Sequence, residues 1–84
     1  SLEQNYPNPF NPGTWIVYSL PASGAVRLAV YDISGKEIAC LVDGLQLAGE
    51  HKVRFEAAGL ASGIYLYQIK SGSGSAWRKM LLIR

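Results

Sequence analysis

Val26-Arg27-Leu28-Ala29-Val30-Tyr31-Asp32-Ile33-Ser34-Gly35-Lys36-Glu37-Ile38-Ala39-Cys40-Leu41 is the stretch whose reading decides the fold. Side chains alternate across a strand, so Val26, Leu28 and Val30 share one face while Arg27, Ala29 and Tyr31 share the other. Asp32 can bond its own downstream backbone and Gly35 can take positive φ, so Asp32 to Gly35 is a chain reversal between two strands. The returning strand runs from Glu37 to Val42. Ile38 and Leu41 are three apart, which calls for a β-bulge if both are core. Cys40 falls in alternation with Ile38 and Val42 and is expected as a small buried residue.

Working outward, the same pattern recurs. Thr14 to Leu20 puts Ile16, Tyr18 and Leu20 on one face and Trp15, Val17 and Ser19 on the other. Pro21-Ala22-Ser23-Gly24 ends that strand, and the hairpin's first strand occupies Ala25 to Tyr31. Asp43 to Glu50, with Gly44 and Gly49, reads as a loop with Leu45 or Leu47 folded onto the core. His51 to Glu56 alternates again, with Val53 and Phe55 opposed to Lys52, Arg54 and Glu56. Ala57 to Ser62 is a short crossover. Gly63 to Lys70 is apolar on both faces, as in a central strand covered on two sides. The turn Ser71 to Ser75 leads to a closing strand, Ala76 to Ile83.

Before all of these, Asn5-Tyr6-Pro7-Asn8-Pro9-Phe10-Asn11-Pro12 holds three prolines and three asparagines in eight residues. Proline fixes its own φ and restricts the residue before it, so residues 5–13 form a stiff strap rather than a central strand. Tyr6 and Phe10 are expected to tuck against the sandwich edge. Ser1 to Gln4 reads as the end of a linker.

The chain has 84 residues, 49% of them hydrophobic and 17% charged, with 9 Gly and 4 Pro placed mostly between apolar stretches. That is one domain of many short strands: an all-β, antiparallel sandwich of immunoglobulin or fibronectin type III kind with six to seven strands, spanning 1–84. The net charge of +2 is scattered, not gathered into a stripe, so nucleic acid is not an expected partner. A single Cys allows no intrachain disulfide. No apolar run reaches the ~18 residues of a membrane span. One His, without neighbouring acids, and turn-bound carboxylates support neither a metal site nor a hydrolytic triad, so no cofactor and no enzymatic activity are expected.

The opening Leu2-Glu3-Gln4-Asn5-Tyr6-Pro7-Asn8-Pro9-Phe10-Asn11-Pro12, with Thr14, Ile16, Tyr18, Leu20 and Pro21, resembles the C-terminal sorting domains of the type IX secretion system. The likeness continues through Val30 to Gly35, Leu41 to Gly44, Ala48-Gly49, Ser62 to Tyr65 and Lys79 to Leu82. The Tyr-Asp turn and the Ser-Gly-Ile-Tyr strand are shared with the Ig-like domain of flagellar hook-capping proteins. The resemblance implies a secretion signal at the end of a cargo protein, with the cargo as the N-terminal part of the same chain. It further implies passage through the periplasm and an outer-membrane translocon, removal by a sortase-like peptidase cutting near the domain's start, and attachment at the surface of a Gram-negative bacterium. Translocon recognition maps onto Gly63, Tyr65, Lys79, Met80 and Leu82.

A sandwich has edges with unpaired N–H and C=O groups, where a receptor or a second copy can add a strand, and the terminal strand is the natural place. Arg78, Lys79 and Arg84 offer an electrostatic contact there. Trp15 and Trp77 stand where the family is usually polar. The ordinary expectation is that these rings cover each other or the strap; if instead the first and last strands are neighbours and the rings form one exposed patch, that patch suits a second reading, an accessory Ig-like module contacting carbohydrate or a neighbouring domain.

Overall fold

The computed structural model describes residues Ser1–Arg84 throughout. Six strands follow one another without a helix: β1 (Gly13–Leu20), β2 (Gly24–Asp32), β3 (Glu37–Gln46), β4 (Gly49–Glu56), β5 (Gly63–Ser71) and β6 (Gly74–Leu82). They form two antiparallel sheets, one of four strands in the order β3-β2-β5-β6 and one of two, β1-β4. Each sheet turns its apolar phase inward, as the alternation requires. Ile16, Tyr18 and Leu20 of β1 and Phe55 of β4 meet Val26, Leu28, Val30, Tyr65, Tyr67, Ile69, Met80 and Leu82 in one core.

The hairpin is held as its sequence prescribes. The Asp32 carboxylate accepts from the Ser34 N–H (2.9 Å), the Ser34 hydroxyl (2.6 Å) and the Lys36 N–H (3.1 Å). These bonds, the hydroxyl's first, hold its pKa below the usual carboxylate value. Gly35 takes φ 90°, which a side chain would resist. In β3 the pairing slips twice: Leu28 opposes Val42 while Ala29 opposes Cys40, and Val30 opposes Ala39 while Tyr31 opposes Glu37. Leu41 and Ile38 are therefore the extra residues of two bulges, and both pack against the core.

The bulges also correct an expectation. Cys40 is exposed, because the extra residue at Leu41 resets the alternation and turns Cys40 to the outer face opposite Ala29. Asp43 to Glu50 is likewise no loop. β3 runs on through Gln46, only Leu47 and Ala48 link it to β4, and Leu45 and Leu47 are 82% and 76% exposed. Leu45 pairs with Ala25 at the far end of an edge strand, beyond reach of the core. Asp43, expected in a turn, lies within β3 opposite Arg27.

Ser1 to Gln4 is not the end of a linker but part of the sandwich. Ser19 N–H donates to the Ser1 carbonyl (2.8 Å), Glu3 N–H to the Val17 carbonyl (2.9 Å), and Leu2 is 5% exposed in the core. This short segment continues the two-stranded sheet along the free side of β1, with Tyr6 and Trp15 exchanging both main-chain bonds (3.0 and 2.8 Å). Polar groups buried beneath it are paired. Asn5 N–H donates to the Tyr67 hydroxyl (2.8 Å), which donates to the Glu3 carbonyl (2.6 Å), and the Asn5 amide donates to Thr14 Oγ1 (3.1 Å). Phe10 is 1% exposed beside Phe55, whereas Tyr6 is 77% exposed; its backbone is fixed but its ring points outward, against expectation.

Candidate recognition surface

The strap ends on β6. Phe10 N–H donates to the Leu81 carbonyl and Ile83 N–H to the Phe10 carbonyl, both at 3.0 Å. Leu81 N–H donates to the Asn8 side-chain oxygen (3.0 Å), and the Gln4 amide donates to the Lys79 carbonyl (2.7 Å). The outward backbone groups of β6 are thus taken one after another by the strap. Strand addition at the terminal strand, expected from sequence, has no free edge from Lys79 onward. Two of the three terminal cations are also in use: Arg78 Nε donates to the Leu2 carbonyl (3.0 Å) and the Arg84 guanidinium donates to the Leu60 carbonyl. Lys79 alone of the three has a free head group.

The five residues implied in recognition divide the same way. Tyr65 (7% exposed), Met80 (1%) and Leu82 (0%) point into the core, and the Tyr65 hydroxyl donates to the Ala61 carbonyl (2.7 Å). Gly63 has φ 147°, a backbone state that favours glycine. Only Lys79 presents its side chain to a partner. Tyr65 opposes Met80 and Gly63 opposes Leu82 across β5 and β6, so the structure brings these four together as one inward-facing patch.

The tryptophans do not form one patch. Trp15 lies on the outer face of the two-stranded sheet, and Trp77 on the outer face of the four-stranded sheet, because β1 and β6 belong to different sheets. Lys52 Nζ sits 4.5 Å and the Arg54 guanidinium 5.2 Å from the Trp15 ring centre, so its own sheet supplies cation–π cover. Trp77 is 52% exposed and meets Tyr31 at 5.3 Å between ring centres.

The outer side of β5 is covered at Gln68 but open toward both of its ends. Its outer phase, expected to be covered, carries Ile64 (46% exposed) and half-buried Leu66, next to Leu81 (37%) on β6. Sequence reasoning had the signal for this face, an apolar residue in both phases of β5, but assigned it to a second covering layer. His51 is structural: its Nε2 bonds the Leu47 carbonyl (2.7 Å) and its ring stacks on Tyr18.

A sequence profile described as a secretion system C-terminal sorting domain matches residues 4–84. The chain belongs to that family. The sorting domain is a C-terminal sorting signal of type IX secretion, and its six antiparallel strands form an immunoglobulin-like sandwich. Among solved structures it is similar to PorZ, a bacterial surface component of the type IX secretion system of Porphyromonas gingivalis, at 21% identity and a TM-score of 0.70. The likeness covers 100% of the sorting domain and 12% of PorZ, so the domain matches a small part of that protein. An uncharacterised Bacillus anthracis protein is similar at 10% identity and a TM-score of 0.66, over 87% of the sorting domain and 72% of that chain. CopC of Methylosinus trichosporium is similar at 14% identity and a TM-score of 0.53, over 96% and 90%. At these identities the likeness is one of fold. No curated protein matches the sorting domain in sequence.

Proposed function

We propose that the sorting domain, residues 1–84 acting as one unit, is recognised in the folded state. Its cargo is held as the N-terminal part of the same chain and carried from the periplasm through the outer-membrane translocon. The domain is a substrate of that machinery and catalyses nothing itself. The observation that carries this reading is the double use of β6: its inner side chains, Met80 and Leu82, complete the core, and its outer edge seats the strap. A requirement for the terminal strand is then largely a requirement for the fold, with Lys79 left to make contact. A sortase-like peptidase acting near the domain's start fits a cut outside Leu2–Phe10, since that segment supplies core side chains. Release to the medium or attachment at the cell surface follows. A second reading, an accessory module contacting carbohydrate or a neighbouring domain, is supported at Trp77 by its exposure and less so at Trp15, which already has cations over its ring.

The test is a fusion of residues 1–84 to a periplasm-directed reporter, expressed in a bacterium with an intact type IX system and in its translocon mutant. Export confined to the intact strain is the expected result, and deletion of Lys79–Arg84 should leave the reporter in the periplasm. Retention of the full fusion in both strains would overturn the sorting reading.

A further inference from the structure

The outer face of the four-stranded sheet is built differently from an ordinary solvated face. The rings of Tyr31 on β2 and Trp77 on β6 meet across β5, the strand that separates them. Gln68, which opposes both Ala29 and Trp77 on that face, is only 8% exposed, yet its amide makes no hydrogen bond within the chain and keeps a residue of solvent contact. Its amide bonds to water now, and a partner laid over this face must replace those bonds or leave the amide unpaired at a cost. The amide reaches solvent on the face that carries the Tyr31–Trp77 ring pair. Ile64, Leu66 and Leu81 continue the apolar surface along β5 and β6. An aromatic centre with one orienting polar group and aliphatic flanks is the make-up of an interface core, whereas a sugar subsite calls for several polar partners around its ring.

Charge selects the occupant. Lys79 and Lys70 stand on this face without an ion pair, while Glu37 is held by Arg27 at 2.9 Å, and Asp43 lies at the far corner opposite Arg27. A second copy would bring the same cations and only Asp43 as an unpaired acid. We infer that this face, centred on the Tyr31–Trp77 ring pair, docks the folded domain onto an apolar, acid-rimmed protein surface of the secretion machinery. The inference rests on the sorting reading above and names the surface through which it works.

The experiment uses the same periplasm-directed fusion. Lys79→Glu and Trp77→Ser are compared with Lys52→Glu, which makes the same charge change on the opposite face. Thermal melting of each purified protein checks that the fold is kept. Loss of an aromatic anchor, or reversal of a rim charge facing acids, should lower export about tenfold, with Lys52→Glu indistinguishable from the parent. If Trp77→Ser melts early, Lys79→Glu, at an exposed position, still decides. Parent-level export of a folded Lys79→Glu and a folded Trp77→Ser would overturn the inference while leaving the sorting reading intact; absence of export by the parent would instead strike the sorting reading. Normal export with loss of cargo from the cell-surface fraction would assign the face to a surface glycan, and a dimer abolished by Trp77→Ser would assign it to a second copy. Either would overturn it.

Discussion

The two sides of the sandwich treat their edges in opposite ways. On one side the strap closes both sheets: Ser1 to Tyr6 runs along β1, and Phe10 with Asn8 and Gln4 satisfies β6. On the other side, β3 and β4 end the sheets without cover; β3 is broken by two bulges and carries Leu45 and Leu47 in solvent. Edge strands invite unwanted pairing, and each side guards against it differently, one by a covalently tethered cover and one by irregularity and exposed charge. Stability is therefore concentrated where the chain's first residues meet its last strand.

The sharpest way to break this contrast is to truncate one large apolar side chain on each side. Phe10→Ala should cost about 3–5 kcal/mol, because the ring is buried and its loss leaves a cavity against Phe55. Leu45→Ala should change stability by less than about 0.5 kcal/mol. Chemical denaturation of both variants measures the difference, and equal midpoints would erase the distinction. A smaller effect isolates the polar seam under the strap. Tyr67→Phe leaves the Asn5 N–H and the Glu3 carbonyl without their partner and should cost about 1–3 kcal/mol. The expected signature is faster amide exchange at Asn5, with the hairpin amides unchanged.

The smallest effect belongs to the open side and depends on pH. Asp32 has a lowered pKa in the fold, so its contribution to the hairpin turn is complete above the ordinary carboxylate value. It is lost as pH falls through the lowered one. Amide exchange at Ser34 and Lys36, corrected for intrinsic rates, should report that loss on acidification, and Asp32→Ala should abolish the dependence. A turn equally protected at both pH extremes would show that the carboxylate is not its fastener.

How much of this was legible in the sequence follows from the range of the interactions. The hairpin and β1 were readable because alternation and turn chemistry are local. The bulges were readable from the spacing of Ile38 and Leu41, but their effect on Cys40 was not carried through. Gly44 and Gly49 disguised the end of β3 and the start of β4 as a loop, since glycine serves a strand edge and a turn alike. The strap was recognisable as stiff and non-strand, yet nothing in its composition told that Gln4, Asn8 and Phe10 meet residues 79–83. A lone Leu2 among polar residues gave no period to read. Of the candidate recognition residues, Tyr65, Met80 and Leu82 already carried the core phase in their alternation. The openness of β5's outer side around Ile64 was hidden because burial on both sides and a partner on one side give the same apolar pattern.

The closure of the strap on β6 also sets an order of events in synthesis. Phe10 is translated before β6 but has no main-chain partner until Leu81 and Ile83 have left the ribosome, and Asn8 and Gln4 wait for the same segment. A chain interrupted anywhere before its final strand holds a hydrophobic strap with nowhere to lie. The strap thus reports on β6: it is seated only once residues 79–83 have been made and have folded beside it.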